Sequence, residues 1–231
     1  MPPTWLTVLA WVSLAAAGLS ALDILIDIYL RRYRQHMGIM EAVWPVTALY
    51  FGPLASWAYR RWGRPRSNRW LEEHGRESPP TTSRRVSVAL GVSHCGAGCT
   101  LGDIAAATGV FLAGLRIANH AVFAEMAASY VAALVLGILF QYFAIAPMRG
   151  LGIGVGLREA AKADVLSLTA FEVGLFGWMA VMAFVLFPEP HSLHPDTAAY
   201  WFLMQIGMVI GFATSWPANV WLIRRGIKEA M

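Results

Sequence analysis

Gly91, Cys95, Cys99 and Asp103 recur at every fourth residue inside an apolar run at 86–115. Residues four apart share one face of a helix. Both cysteines of the chain and a carboxylate therefore fall on one stripe, with His94 just before the first thiol. Thiolates and imidazoles are the ligands that soft metal ions prefer, and ionisable groups at membrane depth are costly enough to need a role. The expected chemistry is capture of a soft cation, Cu(I) or a similar metal ion, by Cys95, Cys99 and His94. Met204 and Met208, themselves four apart, are the accessory ligands to consider. Packing competes with this reading, because small residues at this spacing let membrane helices approach closely. Packing explains the glycines and tolerates the thiols. It leaves Asp103 and His94 without a reason, since polar groups at that depth need partners. A thiol–disulfide pair fits less well, because three residues separate the cysteines where redox motifs have two.

Carboxylates offer a second route. Intramembrane acids are typical of proton relays and cation paths. Asp103 extends the cysteine stripe by one turn, about 6 Å along the axis, and Glu172 lies about a third of the way into a later apolar segment. Asp23 and Asp27 stand one turn apart near the end of the first segment, and Glu41 and Glu125 open the second and fourth. These last four sit where hydration, or pairing with Arg31 or Arg32, would satisfy them. Asp103, Glu172, Asp23 and Asp27 are the expected ion-path or proton-coupling residues. His191 and His194, in a proline-rich loop, read as ordinary surface residues. There is no nucleotide-binding glycine loop, zinc motif or nucleophile elbow. The glycines at 152, 154 and 156 lack the preceding strand that a dinucleotide site needs.

The elements that must carry these residues are membrane helices. The chain is 57% hydrophobic and 14% charged, with mean hydropathy +0.52, against roughly 25% charged for soluble domains. Six segments have the length that a ~30 Å hydrocarbon core requires: 5–29, 39–59, 86–115, 123–147, 165–187 and 198–223. The first has a small-residue run at 15–18 that resembles a cleavage region, but no basic residues precede it, so it is read as retained. The fold expected is all-α, a polytopic transmembrane helix bundle of about six spans forming one domain over 1–231. It comprises two N-terminal spans within 1–59, a basic cytoplasmic loop at 60–85 and a four-span region at 86–231. Basic residues favour cytoplasmic loops. With both termini inside, 14 of the 18 basic residues lie there, and Arg31, Arg32, Arg34 and Arg116 lie outside. The stretch 150–163 reads as an amphipathic segment along the inner interface. The pI near 9.3 then reflects anionic lipid headgroups rather than nucleic acid.

The string HCGAGCTLGD at 94–103, with MQIGM at 204–208 and the ending WPANVWLIRRGIKEAM at 216–231, resembles the bacterial membrane family called domain of unknown function 4396. The resemblance covers about 86–231 and leaves the first two segments outside. It implies a multi-pass protein of a bacterial inner membrane and no particular reaction. The function expected from the residues is binding and translocation of a small cation, a soft metal before a proton or alkali ion, rather than catalysis. The alternatives are a proton or cation channel using the carboxylates, a thiol-redox membrane enzyme, and a non-catalytic scaffold. The expected partners are the lipid bilayer and a small cation, with self-association as a homo-oligomer left open.

Overall fold

A computed structural model describes residues 2–150 and 152–228, without the side chains of 145–149. The three final residues of the family-like ending, 229–231, lie outside it. The regular structure is helical: α1 (Thr4–Leu25, continued by a π-helical turn, Ile26–Leu30), α2 (Met40–Phe51), α3 (Pro53–Ala58), α4 (Asn68–Glu73), α5 (Arg84–Ala113), α6 (Ala121–Arg149), α7 (Ile153–Val181) and α8 (Ala198–Arg224). Five helices are long and apolar enough to cross a membrane: Thr4–Leu30, Arg84–Ala113, Ala121–Ala144, Ile153–Leu186 and Ala198–Arg224. Large apolar side chains such as Trp5, Trp11, Leu19 and Val131 face outward, as a lipid-facing surface requires.

The expected span at 39–59 is not among the five. Gly52, at φ 55°, ends α2, and Pro53 opens α3, so the apolar segment folds back on itself. The 12 residues of α2 rise only about 18 Å. Both feet of this hairpin stand at the same end of the bundle. Asn68 N donates to Arg34 O at 3.1 Å, Arg69 to Arg31 O at 2.6 Å, and Tyr33 Oη to Glu73 at 3.1 Å. The backbone of the tip is held by neighbouring helices, as non-helical backbone at depth must be: Gln205 Nε2 donates to Leu49 O at 2.6 Å, and the buried Gly52 packs on Ala17, while Pro53 and Leu54 face outward. The count of six therefore becomes five. Because Asp23 pairs with Arg60 and Lys228 reaches Gly91, α1 and α8 both finish at the hairpin's end of the bundle. Thr4 and Arg224 stand at opposite ends.

The stretch 150–163 also differs from expectation. Beyond Gly152, Arg158, Glu159, Ala160, Ala161 and Lys162 are good helix formers and run straight into α7, whose helical course to Leu186 is 34 residues long. At the centre, α5 lies against α6 through Gly98 and Gly102. A Cβ on Gly102 would meet Ala133 N at 2.7 Å, and one on Gly98 would meet Gly137 Cα at 2.8 Å. This leaves the adjoining face of α5, the one bearing the cysteines, turned towards α7 and α8.

Candidate functional site: a buried polar file along the cysteine stripe

Each residue of the α5 stripe faces a polar group from another part of the chain. Gly91 O accepts from Lys228 Nζ at 3.4 Å, and Lys228 pairs with Asp164 Oδ1 of α7 at 3.0 Å. One turn on, Cys95 Sγ lies 3.0 Å from Ser167 Oγ, which lies 3.3 Å from Ser215 Oγ of α8. Asn219 Nδ2 joins the same knot, donating to Ser167 Oγ at 2.6 Å and to Ser215 O at 2.9 Å. Asp164, Ser167, Ser215 and Asn219 have no exposed surface. Serines and asparagine bonded across helices are the polar glue of membrane bundles.

The next two turns are less satisfied. Cys99 faces Glu172, and Glu172 faces Asp103. Asp103 is 0% and Glu172 1% exposed, and their four carboxylate oxygens have no hydrogen-bond partner among the described residues. Ser129 approaches Asp103 and the Cys99 thiol approaches Glu172, but neither reaches hydrogen-bond geometry. Two carboxyl groups that share a dry site cannot both carry a full charge at ordinary cost. A proton or small cation shared between them removes the conflict.

Beyond Asp103 the file reaches Tyr200, close enough for the two groups to interact electrostatically. Thr197 caps α8 by accepting from Tyr200 N at 3.3 Å, as N-cap threonines do, and this sets Tyr200 at the helix start. Its hydroxyl donates to Glu125 Oε2 of α6 at 3.0 Å. Glu125 in turn lines a cavity of about 60 Å³ with His120, His194, Met179, Met182 and Met204, room for a few waters. The polar groups thus run from Lys228 at one end to this cavity at the other.

The expected metal ligands do not assemble, and two of the expected carboxylates lie away from the file. His94 is buried beside Phe140, ring centroids 6.1 Å apart, and neither ring nitrogen has a partner among the described residues. Met208 Sδ takes a hydrogen bond from Thr100 Oγ1 at 3.7 Å, and Met204 and Met208 line a second, largely apolar cavity of about 170 Å³. Cys95 and Cys99 are free thiols, fully enclosed. No three His, Cys, Asp or Glu side chains converge as a metal shell among the described residues. Asp23 takes Arg60 at 2.8 Å. Asp27 takes Tyr59 Oη at 3.0 Å, Arg31 at 3.3 Å and Arg64 at 3.5 Å. Both belong to the arginine-rich end and are not brought to Asp103 and Glu172.

Several members of the file carry no sequence signal of their own. Asp164 and Lys228 look like interfacial charges, and Ser167 and Ser215 like ordinary helix serines. Thr47 and Tyr50, on the hairpin's first arm, are buried with hydroxyls that have no hydrogen-bond partner among the described residues, and Tyr50 lies near both cysteines. Gly96 makes room for it: a Cβ there would meet Tyr50 Oη at 3.1 Å and Phe171 at 3.0 Å.

The model of the family Domain of unknown function (DUF4396) matches residues 85–228, well over half of the chain, and the chain belongs to that family. The matched region contains the whole file and excludes α1 and the hairpin. No curated protein and no solved structure matches the chain.

Proposed function

We propose that this protein moves a small cation across a bacterial inner membrane along the polar file, with a proton as the cation the geometry favours. The observation that carries this is the Asp103–Glu172 pair: two facing carboxyl groups, buried at the middle of the bundle, with no hydrogen-bond partner or counter-ion among the described residues. A packing face has no need of such a pair, and a structural ion pair would include a cation. The hydroxyls and thiols on one side of it, and Tyr200 with Glu125 on the other, extend it towards both ends. A soft metal ion has weaker support, because Ser167 already engages the Cys95 thiol and His94 points into an aromatic setting.

The basic residues support an orientation. With five crossings, every arginine and lysine except Arg116 falls at the end bearing the hairpin feet and Lys228. Positive charge favours the cytoplasmic side, so that end is cytoplasmic and the N-terminus is outside, the reverse of the sequence expectation for that terminus.

The test is flux. Purified protein in liposomes enclosing a pH-sensitive dye should dissipate an imposed proton gradient, and Asp103→Asn or Glu172→Gln should stop it while leaving a folded protein. Metal analysis of an anaerobic preparation runs alongside. Stoichiometric copper that disappears in a Cys95→Ser/Cys99→Ser variant, with no proton flux in the parent protein, would replace the proton reading by the soft-metal one.

A further inference from the structure

Past α8 the chain turns at Gly226, φ 67°, and Ile227 N and Lys228 N both bond back to Leu222 O, at 3.0 and 3.4 Å. This return drives the Lys228 side chain into the bundle between α5, α7 and α8. Its side chain and that of Asp164 are both 0% exposed. Burial disfavours the Lys228 charge, yet Asp164 beside it holds the ammonium above the ordinary lysine range. Two oxygens touch the ammonium, that of the Asp164 carboxylate and the Gly91 carbonyl, and Asn219 Oδ1 lies near Gly91 beside them. A Cβ placed on Gly91 would lie 3.7 Å from Asn219 Oδ1 and 3.9 Å from Lys228 Cε, so that small residue is the floor of the site. Asp164 Oδ2 and Asn219 Oδ1 are buried and have no partner among the described residues. The site therefore has more acceptor capacity than the lysine uses.

The placement of the partners is uneven. Asp164, Gly91 and Asn219 sit on spanning helices, each held by packing on its neighbours. Lys228 hangs on a few residues beyond the last helix. A buried ion pair contributes little net stability compared with apolar side chains of equal volume, so stability alone is a poor reason to bring a lysine here. An ammonium bonded to one carboxylate and one backbone carbonyl, with a buried amide oxygen left over nearby, resembles a small cation taking oxygen ligands in place of water.

We infer that the oxygens of Asp164, Gly91 and Asn219 form a binding site for a small monovalent cation of the ammonium class, which Lys228 occupies as a tethered competitor that closes the inner end of the file. The inference rests on the cation-file reading for its role in transport, but the site itself is open to a separate measurement. With the lysine seated, a cation arriving past Cys95 meets a fixed positive charge. With the lysine withdrawn, the same oxygens receive the arriving ion.

The experiment uses radiolabelled methylammonium in equilibrium dialysis against the detergent-solubilised full chain, and proton flux in liposomes. Lys228→Ala should bind one methylammonium where the parent binds none, and should raise flux about tenfold, the loss of ~1.4 kcal/mol of competition. Adding Asp164→Asn to Lys228→Ala should abolish the binding. Lys228→Gln, neutral and nearly as long, replaces Lys228→Ala if that variant does not fold, and should raise flux in the same direction. A folded Lys228→Ala that neither binds methylammonium nor changes flux overturns the inference and leaves Lys228 a structural counter-ion. Binding without flux in any variant supports the site while refuting the file as a conduit.

Discussion

Adding one methyl group at Gly102 should separate α5 from α6 and damage the site without touching it chemically. A Cβ there would lie 2.7 Å from Ala133 N, 2.9 Å from Ala132 C and 3.0 Å from Ala133 Cα. All three are backbone atoms, so no side chain can rotate away. Ordinary van der Waals contact begins near 3.4 Å, so Gly102→Ala asks α6 to retreat by about 0.7 Å along that line. Overpacking of this kind costs about 1–3 kcal/mol, from which the helix-propensity gain of Gly→Ala, about 0.5–1 kcal/mol, must be subtracted. Gly109 is the matched control: it lies on the same helix with nothing within 4 Å of its Cβ position, so Gly109→Ala should realise only the gain. At about 2–4 °C per kcal/mol for a chain of this size, melting in detergent should place Gly102→Ala several degrees below the parent and Gly109→Ala slightly above. Because Ser129 and Asp103 flank the same seam, proton flux should fall in Gly102→Ala and not in Gly109→Ala. If the two variants melt alike, α5 and α6 are not in backbone contact, and the division of α5 into a packing face and a polar face is wrong.

Three further outcomes follow from the same geometry. Asp27→Asn leaves the buried Tyr59 hydroxyl and Arg64 without their carboxylate and should cost about 1–3 kcal/mol in thermal unfolding with little change in flux per folded molecule. Unaltered melting would show that the arginine-rich end does not hold α1 to the hairpin. Tyr50→Phe removes a hydroxyl that has no partner among the described residues, so the fold should keep its melting temperature, and a large drop would mean that the hydroxyl is bonded after all. In a Cys95→Ser/Cys99→Ser background, Pro3→Cys should react with an impermeant thiol reagent from outside intact cells and Ser78→Cys should not; the opposite pattern inverts the orientation.

How much was legible in the sequence depends on the range of the interaction. The four-residue period of Gly91, Cys95, Cys99 and Asp103 is a local property, and α5 carries it as one face. The pairing of that face with Ser167, Glu172, Ser215 and Asn219 is not local: apart from Glu172, which its depth in an apolar segment marks, each partner is an unremarkable residue of another helix, identified only by which helices touch. Asp23 and Asp27 show the converse. Their spacing suggested a path, but Arg60 and Arg64, some forty residues away, claim them once the hairpin folds back. Hydropathy summed over 39–59 hides the hairpin, because it outweighs the one local signal against a span, Gly52 followed by Pro53. The cysteine helix carries two faces a turn of roughly 100° apart: Gly98 and Gly102 pack on α6, while their neighbours Cys99 and Asp103 lie on the polar side.

The hairpin divides ownership of the molecule in an uneven way. Every link from Lys228 to Glu125 lies within 85–228, the part that matches the family, whereas the wall over Gly96 and Thr100 is built from Tyr50, Leu49 and Leu14 of the preceding residues. Trimmed to the shared region, the chain would retain its polar file and lose the cover over one side of it. The Tyr50 side of Gly96 would open to acyl chains, and the 170 Å³ hollow between α1, the hairpin tip, α5 and α8 would become a lateral gap. The residues before 85 therefore form a sheath over this side of the file, and on the proton reading shortening them should loosen control of flux before it abolishes it.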